Sequence, residues 1–226
     1  LILARAFLAP FYSLMVEHND LFCTAIGINM HVGADTLMRK LETFSEYCME
    51  GDYKAYDQSM PIEVASATSR VVCNVLESLG YNEQSMCMVR GLLTDACFPV
   101  VEMNTDVFVK PGLTPSGKYA TAEDNSLKGL FLLMYSWYAN PHLTELDFFE
   151  YVKPVTYGDD MLAAVKPSII RHFNNCTYAR DCEEYYGIVY TAARKNEDLK
   201  EYMSPKDTSF LKRLFVWSPR RNMYIA

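Results

Sequence analysis

Two short apolar runs, residues 152–157 and 161–165, bracket Gly158-Asp159-Asp160. That spacing predicts a β-hairpin closed by a tight, glycine-containing turn. The tip, Tyr157-Gly158-Asp159-Asp160, carries two adjacent carboxylates. Neighbouring acids repel, so they need cations or water around them. A solvated hairpin tip meets that need without any chemistry, since Gly-Asp is an ordinary turn pair. From average composition, however, this tetrapeptide should arise on the order of once in a thousand chains of this length. The hairpin therefore points to an antiparallel sheet with paired acids at one end.

The rest of the chain supplies helices to pack on that sheet. Helical spacing covers residues 1–19, with Ala4, Phe7, Leu8, Phe11, Leu14 and Met15 on the apolar side, and again 34–47. A strand is expected at 48–53, ending at Asp52. Pro61 opens a helix in the favoured first-turn position, and Gly80 stops it after Leu79. Another helix spans about 82–95. Residues 98–103 and 106–110 alternate like a hairpin around Asn104 and Thr105, followed by a Pro-Gly loop over 111–117. A helix from Thr121 to Tyr138, two helical stretches over 168–186, a strand near 187–190 and short strands over 208–225 complete the pattern. Strands separated by helices first and joined by hairpins later give an α+β class, an antiparallel sheet with helices on one face.

Composition narrows the function classes. Half of the 226 residues are apolar and 13% are aromatic, which fits a globular chain. No apolar run reaches the roughly 18 residues of a membrane span. Leu1-Ile2-Leu3-Ala4-Arg5 lacks the layout of a signal peptide, and with no initiator Met the chain is expected to begin inside a longer polypeptide. Seven scattered cysteines without a CxxC indicate a reduced, intracellular protein. His172, Cys176 and Cys182 do not have a standard zinc spacing. The net charge of −7 speaks against a nucleic-acid binder taken by itself. The tail runs the other way: Lys206, Lys212, Arg213, Arg220 and Arg221 face only Asp207.

Two further groups bear on the acidic hairpin. Asp52 and Asp57 lie in Gly51-Asp52-Tyr53-Lys54-Ala55-Tyr56-Asp57. Asp52 ends a strand and can reach a neighbouring hairpin. Asp57 follows in a turn, where a capping role is the plain alternative. Three acids at one sheet edge can hold two Mg²⁺ ions, which take hard oxygen ligands and clamp the attacking and leaving oxygens of a phosphoryl transfer. The other group is Pro115-Ser116-Gly117-Lys118-Tyr119-Ala120-Thr121-Ala122-Glu123-Asp124-Asn125-Ser126. A Ser-Gly loop feeds a helix on which Thr121 and Asn125, four apart, share a face. Their hydroxyl and amide can bond a ribose hydroxyl; a helix cap with a solvated polar face is the simpler alternative.

Together these groups resemble the ordered motifs of viral RNA-dependent RNA polymerases of the picorna-like positive-strand viruses: DxxxxD, then SGxxxTxxxN, then YGDD. Tyr186-Gly187-Ile188-Val189-Tyr190-Thr191-Ala192-Ala193-Arg194-Lys195 resembles the next motif, which ends in a lysine, and Phe210-Leu211-Lys212-Arg213 resembles the primer grip. The resemblance covers residues 48 to about 215. It implies a polymerase palm over 48–226 with a fingers segment inserted around 80–112, partial fingers and palm helices over 1–47, and no thumb. Asp52 and Asp159, supported by Asp160, would bind Mg²⁺, with Mn²⁺ as a substitute. Asp57, Ser116, Gly117, Thr121 and Asn125 would position the nucleotide and sense its ribose. Phe210, Leu211, Lys212 and Arg213 would hold the primer end, and Lys195 would act as a general acid at the leaving pyrophosphate. Implied partners are an RNA template and primer, nucleoside triphosphates, a protein primer and other viral replication proteins, in membrane-associated replication complexes of the host-cell cytoplasm. Basic fingers lying upstream of Leu1 would account for the acidic balance. One departure is Ala120, where many picornavirus enzymes have glycine. For Lys195, an exposed charged turn over 194–198 is the plain alternative.

Other classes fit less of the pattern. A reverse transcriptase shares a palm with paired acids, but Asp57 with Asn125 favours ribonucleotides and Phe210-Leu211-Lys212-Arg213 favours the viral RNA enzymes. A metal-dependent nuclease leaves the Ser-Gly loop unexplained. A non-catalytic palm-like scaffold has no reason to keep Asp52, Asp159 and Asp160 together.

Overall fold

A computed structural model describes residues 1–195 and 197–226. Its elements run α1 (Ile2–Glu17), α2 (Met30–Phe44), β1 (Cys48–Tyr53), α3 (Tyr56–Ser59), α4 (Ile62–Ser78), α5 (Glu83–Cys97), β2 (Val100–Met103), β3 (Asp106–Val109), α6 (Thr121–Ala139), α7 (Phe148–Tyr151), β4 (Val152–Tyr157), β5 (Asp160–Val165) and α8 (Asn175–Asp181). A π-helical turn, Cys182–Tyr186, continues α8. Then come β6 (Tyr190–Thr191), β7 (Ser209–Phe210), β8 (Arg213–Leu214), β9 (Val216–Ser218) and β10 (Met223–Ile225).

The central sheet has the order β4-β5-β1-β6, and every pairing is antiparallel. Five of the six residues of β1, and five of the six of β5, are buried. This is why 161–165 reads as a continuous apolar run rather than an alternating one. Pro154 lies in β4, an edge strand, where a missing N–H is tolerated. Cys23–Ala25 covers that edge: Thr156 N–H donates to the Cys23 carbonyl at 2.9 Å, and Ala25 N–H donates to the Thr156 carbonyl at 2.8 Å.

Side-chain alternation sorts the sheet into two packed faces. Met49, Tyr53, Met161, Ala163 and Val165 pack with Leu132, Leu133 and Trp137 of α6 and Tyr178 of α8. Cys48, Leu162 and Ala164 pack on the other side with Leu37, Met38 and Leu41 of α2 and with Phe210, Phe215 and Tyr224 from the C-terminal segment. The helix α6 is buried nearly all round, from Asp124 to Leu130 without interruption. A third cluster joins α1, α4 and α5 through Phe11, Met15, Leu76 and Val89.

Several boundaries differ from the sequence reading. The second helix starts at Met30 and stops at Phe44, because Asn29 caps its first turn by accepting from His31 N–H at 3.1 Å. Residues 168–174 form turns instead of a helix; the Asn174 capping box starts α8 only at Asn175. Gly187, expected in a strand, takes φ +66° and closes the π-helical turn, so the strand shrinks to Tyr190–Thr191. Asp57 sits in the one-turn helix α3. Asn196, part of the charged 194–198 stretch, lies outside the described residues.

Candidate active site

The β4–β5 hairpin and the end of β1 bring the acids together. Gly158 takes φ +62° while Asp159 stays at negative φ, the pattern of a II′ hairpin turn. Ser126 of α6 clamps this turn: its hydroxyl accepts the Gly158 N–H at 2.8 Å and donates to the Ala122 carbonyl at 2.7 Å. In the β1–β5 register Gly51 pairs with Met161; one residue further, Asp52 lies across from Asp160. Burial and the Asp159 charge push the Asp52 carboxyl above its ordinary pKa, against Lys195 and Lys212. Burial, Asp159 and Asp52 likewise push Asp160 up, against Lys212. The acids thus sit close enough to repel, with two lysines opposing them.

These groups line one cleft of about 560 Å³. Asp52, Asp57, Asp159 and Asp160 form its acidic side; Lys195, Phe210, Leu211 and Lys212 face it from the C-terminal part of the chain. Leu211 and Lys212 connect β7 to β8 with φ of +54° and +58°, a left-handed pair that branched and long side chains resist. The strain is held by anchors on either side. Phe210 is buried among the α2 side chains. Ser209 N–H donates to the buried Glu50 carboxylate, which also accepts from the Ser209 hydroxyl at 3.3 Å. Burial raises the Glu50 pKa, while the two Ser209 bonds pull it back. Arg213 does not line the cleft; its guanidinium contacts the Ala226 carbonyl at 3.5 Å.

The ribose-sensing group expected from the sequence is partly assembled. Asn125 donates through Nδ2 to Asp57 Oδ1 at 2.7 Å, and the Ser116 hydroxyl lies 3.5 Å from Asp57 Oδ2. The Tyr56 hydroxyl supports the helix by donating to the Asn125 carbonyl at 2.8 Å. Asn125 Oδ1 is buried without a hydrogen-bond partner among the described residues, a costly state for an acceptor and an opening for a ligand hydroxyl. The Thr121 hydroxyl donates to the Lys118 carbonyl at 2.7 Å, so it ties the loop to α6. Gly117 has φ +87° and Ala120 φ +58°. The alanine therefore holds a backbone conformation in which glycine is unstrained.

The carboxylates suit a hard cation such as Mg²⁺, and their mutual repulsion leaves charge for it to neutralise. Among the described residues, no three His, Cys, Asp or Glu side chains converge into a ready cage. Mg²⁺ is usually held by one or two carboxylates plus substrate phosphates, so a loose acidic cleft fits it. In the set of His172, Cys176 and Cys182, Cys182 is buried and Cys176 exposed. Sequence reasoning assigned no role to Glu50, Thr114, Lys118, Asp124, Ser126 or Lys128, which support the site from beneath. The four-residue spacing of Asp124 and Lys128 was the one available signal.

The sequence model of the family described as viral RNA-dependent RNA polymerase matches residues 1–224. The chain belongs to this family. Among curated relatives of this chain, the replication polyprotein of Nora virus is 28% identical over 84% of the chain and 9% of its own length. The replicase polyprotein of Drosophila C virus is 23% identical over 98% of the chain and 13% of its own. The RNA1 polyprotein of Andean potato mottle virus is 26% identical over 95% and 30%. The chain thus spans less than a third of these relatives. A solved Sicinivirus 3Dpol RNA-dependent RNA polymerase superposes with a TM-score of 0.83 at 19% identity, over 98% of this chain and 45% of that one, a likeness of fold.

Proposed function

We propose that this polymerase chain carries out template-directed RNA synthesis, transferring nucleotides from nucleoside triphosphates to an RNA 3′ end during viral genome replication. The observation that carries the reading is the single cleft in which Asp52, Asp159 and Asp160 meet Asp57, Lys195 and Phe210–Lys212. Asp52 and Asp159, with Asp160 in support, hold Mg²⁺ or Mn²⁺. When bound, the metal supplies charge neutralisation and orientation of the reacting phosphate oxygens. Asp57 and Asn125, with Ser116, Gly117 and Thr121, orient the nucleotide and read its ribose. Phe210, Leu211, Lys212 and Arg213 form the primer grip; Lys212 adds a cation beside the acids, and the left-handed turn fixes where it points. Lys195 lines the same cleft and donates a proton to the departing pyrophosphate oxygen. In this reading residues 48–226 are the palm, 80–112 an inserted fingers segment, and 1–47 partial fingers and palm helices. The partners are template and primer RNA, a protein primer and other viral replication proteins, in membrane-associated complexes of the host cytoplasm.

The test is Asp159→Asn in the full-length polymerase. The swap keeps size and removes a ligand charge, so primer extension falls by at least about 10³-fold. Circular dichroism and the unfolding midpoint stay near wild type, because Asp159 is a turn residue. Near-normal extension rates refute the metal assignment.

A further inference from the structure

We propose that Lys118, Asp124 and Lys128 form a buried positioning triad that sets the polymerase's preference for ribonucleotides, an inference that rests on the function proposed above. Asp124 Oδ2 accepts from Lys118 Nζ and from Lys128 Nζ, each at 2.9 Å. Asp124 and Lys128 are almost wholly buried, with side-chain exposures of 8% and 4%; that of Lys118 is 20%. Charged side chains are seldom buried this fully unless paired. Here the pairing leads directly to the ribose group. Lys128 Nζ also donates to Thr114 Oγ1 at 2.7 Å, and Thr114 is itself buried. Thr114 N–H donates to the Asp57 carbonyl at 2.9 Å. Asp57 then accepts from Asn125, the residue after Asp124.

The triad therefore closes a ring. One side runs from Lys128 through Thr114 to the Asp57 backbone. The other runs along α6 from Asp124 to Asn125, whose side chain meets Asp57 again. Lys118 adds a third hold, fastening the far end of the Ser116–Gly117 loop to the same carboxylate. Gly117 takes φ +87°, and a Cβ placed there would meet nothing within 4 Å among the described residues, so no packing holds the loop at that point. The lysine immediately after Gly117 supplies an anchor that keeps Ser116 beside Asp57. None of the three lines the cleft, and neither do Ser116 and Asn125; Asp57 does, so their effect on substrate is exerted through Asp57 and the Ser116 and Asn125 side chains that meet it.

A role in stability alone and a role in positioning can be separated, because they respond differently to an apolar replacement. Exchanging a buried ion pair for apolar residues of similar volume is often neutral or stabilising. Asp124→Leu with Lys128→Met removes the two most buried of the three charges and keeps the space filled; Lys118, 20% exposed, turns its ammonium to solvent, and methionine cannot hold the Thr114 hydroxyl. The experiment measures kcat/KM for a ribonucleotide and its 2′-deoxy analogue, with thermal unfolding, in the full-length polymerase. Single variants Asp124→Asn and Lys128→Met, and Lys118→Met, are run beside the double variant. The expected result is a double variant folded as well as wild type whose ribose discrimination drops by about 10-fold or more, since displacements near 1 Å can cost about 100-fold. Lys118→Met loses part of that discrimination, with KM for the ribonucleotide rising; because Asp124 keeps Lys128, the unfolding midpoint falls less than in Lys128→Met. A folded double variant with full discrimination overturns the positioning role. Should the double variant fail to fold, Lys118→Met decides: unchanged discrimination and KM overturn it. A wild-type enzyme that incorporates no nucleotide overturns the polymerase reading as well, so the two failures are distinct.

Discussion

Gly51 precedes Asp52 in β1, and a methyl group placed on it would land on the Tyr190 ring, at the Cζ and hydroxyl end. That ring cannot step aside cheaply. It is 4% exposed, lies 5.1 Å from the Tyr53 ring and 5.0 Å from the Tyr178 ring, and its hydroxyl reaches Asn175 Oδ1 at 3.3 Å. Gly51→Ala therefore overpacks the centre of the sheet, which costs about 1–3 kcal/mol. Displacing the Tyr190 hydroxyl adds about 0.5–1.5 kcal/mol. Alanine recovers about 0.5–1 kcal/mol by restricting the unfolded chain. The net expectation is a destabilisation of about 0.5–4 kcal/mol. Urea denaturation of the full-length polymerase reads it as a lower midpoint with unchanged slope. Tyr190→Leu in the same background vacates the space, so the double variant should recover at least about 1 kcal/mol relative to additivity. Because β1 carries Asp52, primer extension should fall with Gly51→Ala and partly return in the double variant. A neutral Gly51→Ala, or strictly additive effects, refutes the overpacking argument.

Asn125→Ala removes both the donor to Asp57 and the buried, unpartnered Oδ1. Ribonucleotide incorporation should then fall by about 10-fold or more, and deoxyribonucleotide incorporation far less; equal loss for both sugars rejects a ribose sensor. Asp124 gives a pH signature. Burial pushes its carboxyl up, but Lys128 and Lys118 outweigh burial and hold it below the ordinary value. A depressed folded pKa contributes stability that is present above the unfolded value and lost as pH falls through the folded one. The stability gap between wild type and Asp124→Asn should therefore be full at neutral pH and close in acid below the usual carboxylate range. The charged and titratable neighbours, Lys118, Lys128, Tyr12, Tyr56 and Glu123, are common to both proteins, so a gap that does not vary with pH contradicts the assignment.

The site was legible wherever chemistry and local turn preference coincide. Gly158-Asp159 between apolar runs announced both the hairpin and its acids, and the turn forms with the glycine at positive φ. Asp52 at a strand end, the Ser116-Gly117 loop and the helix from Thr121 were legible for the same reason. Legibility failed where tertiary contacts decide. Nothing local distinguishes 168–174 from helix, since its apolar residues Ile169 and Phe173 have helical spacing; they are instead drawn from turns into the core beside Trp137. Glu50 read as an unremarkable acid in a strand, yet it is the buried acceptor that fixes Ser209. Its partner lies 159 residues away, a distance that no window of sequence spans.

Backbone strain was the least legible feature, and it gathers around the cleft. Ala55, Leu211 and Lys212 all line the cleft with φ between +54° and +58°, and Ala120 holds φ +58° at the start of α6. Each costs about 1–2 kcal/mol relative to ordinary backbone. None is glycine, so the conformation is imposed by what surrounds it: Tyr56 buried beside Ala55, Phe210 beside Leu211, and the Thr121–Lys118 bond beside Ala120. Propensity rules assign these positions to ordinary turns or helix. The surrounding core overrides propensity because it is already committed: Tyr56 and Phe210, which would have to move to relax the turns at Ala55 and Leu211, are 3% and 2% exposed. Strained turns on a rigid base place Asp57, Lys212 and Asn125 within narrow limits before any substrate arrives. That is the arrangement expected of a site whose chemistry depends on positioning charges rather than on a covalent intermediate.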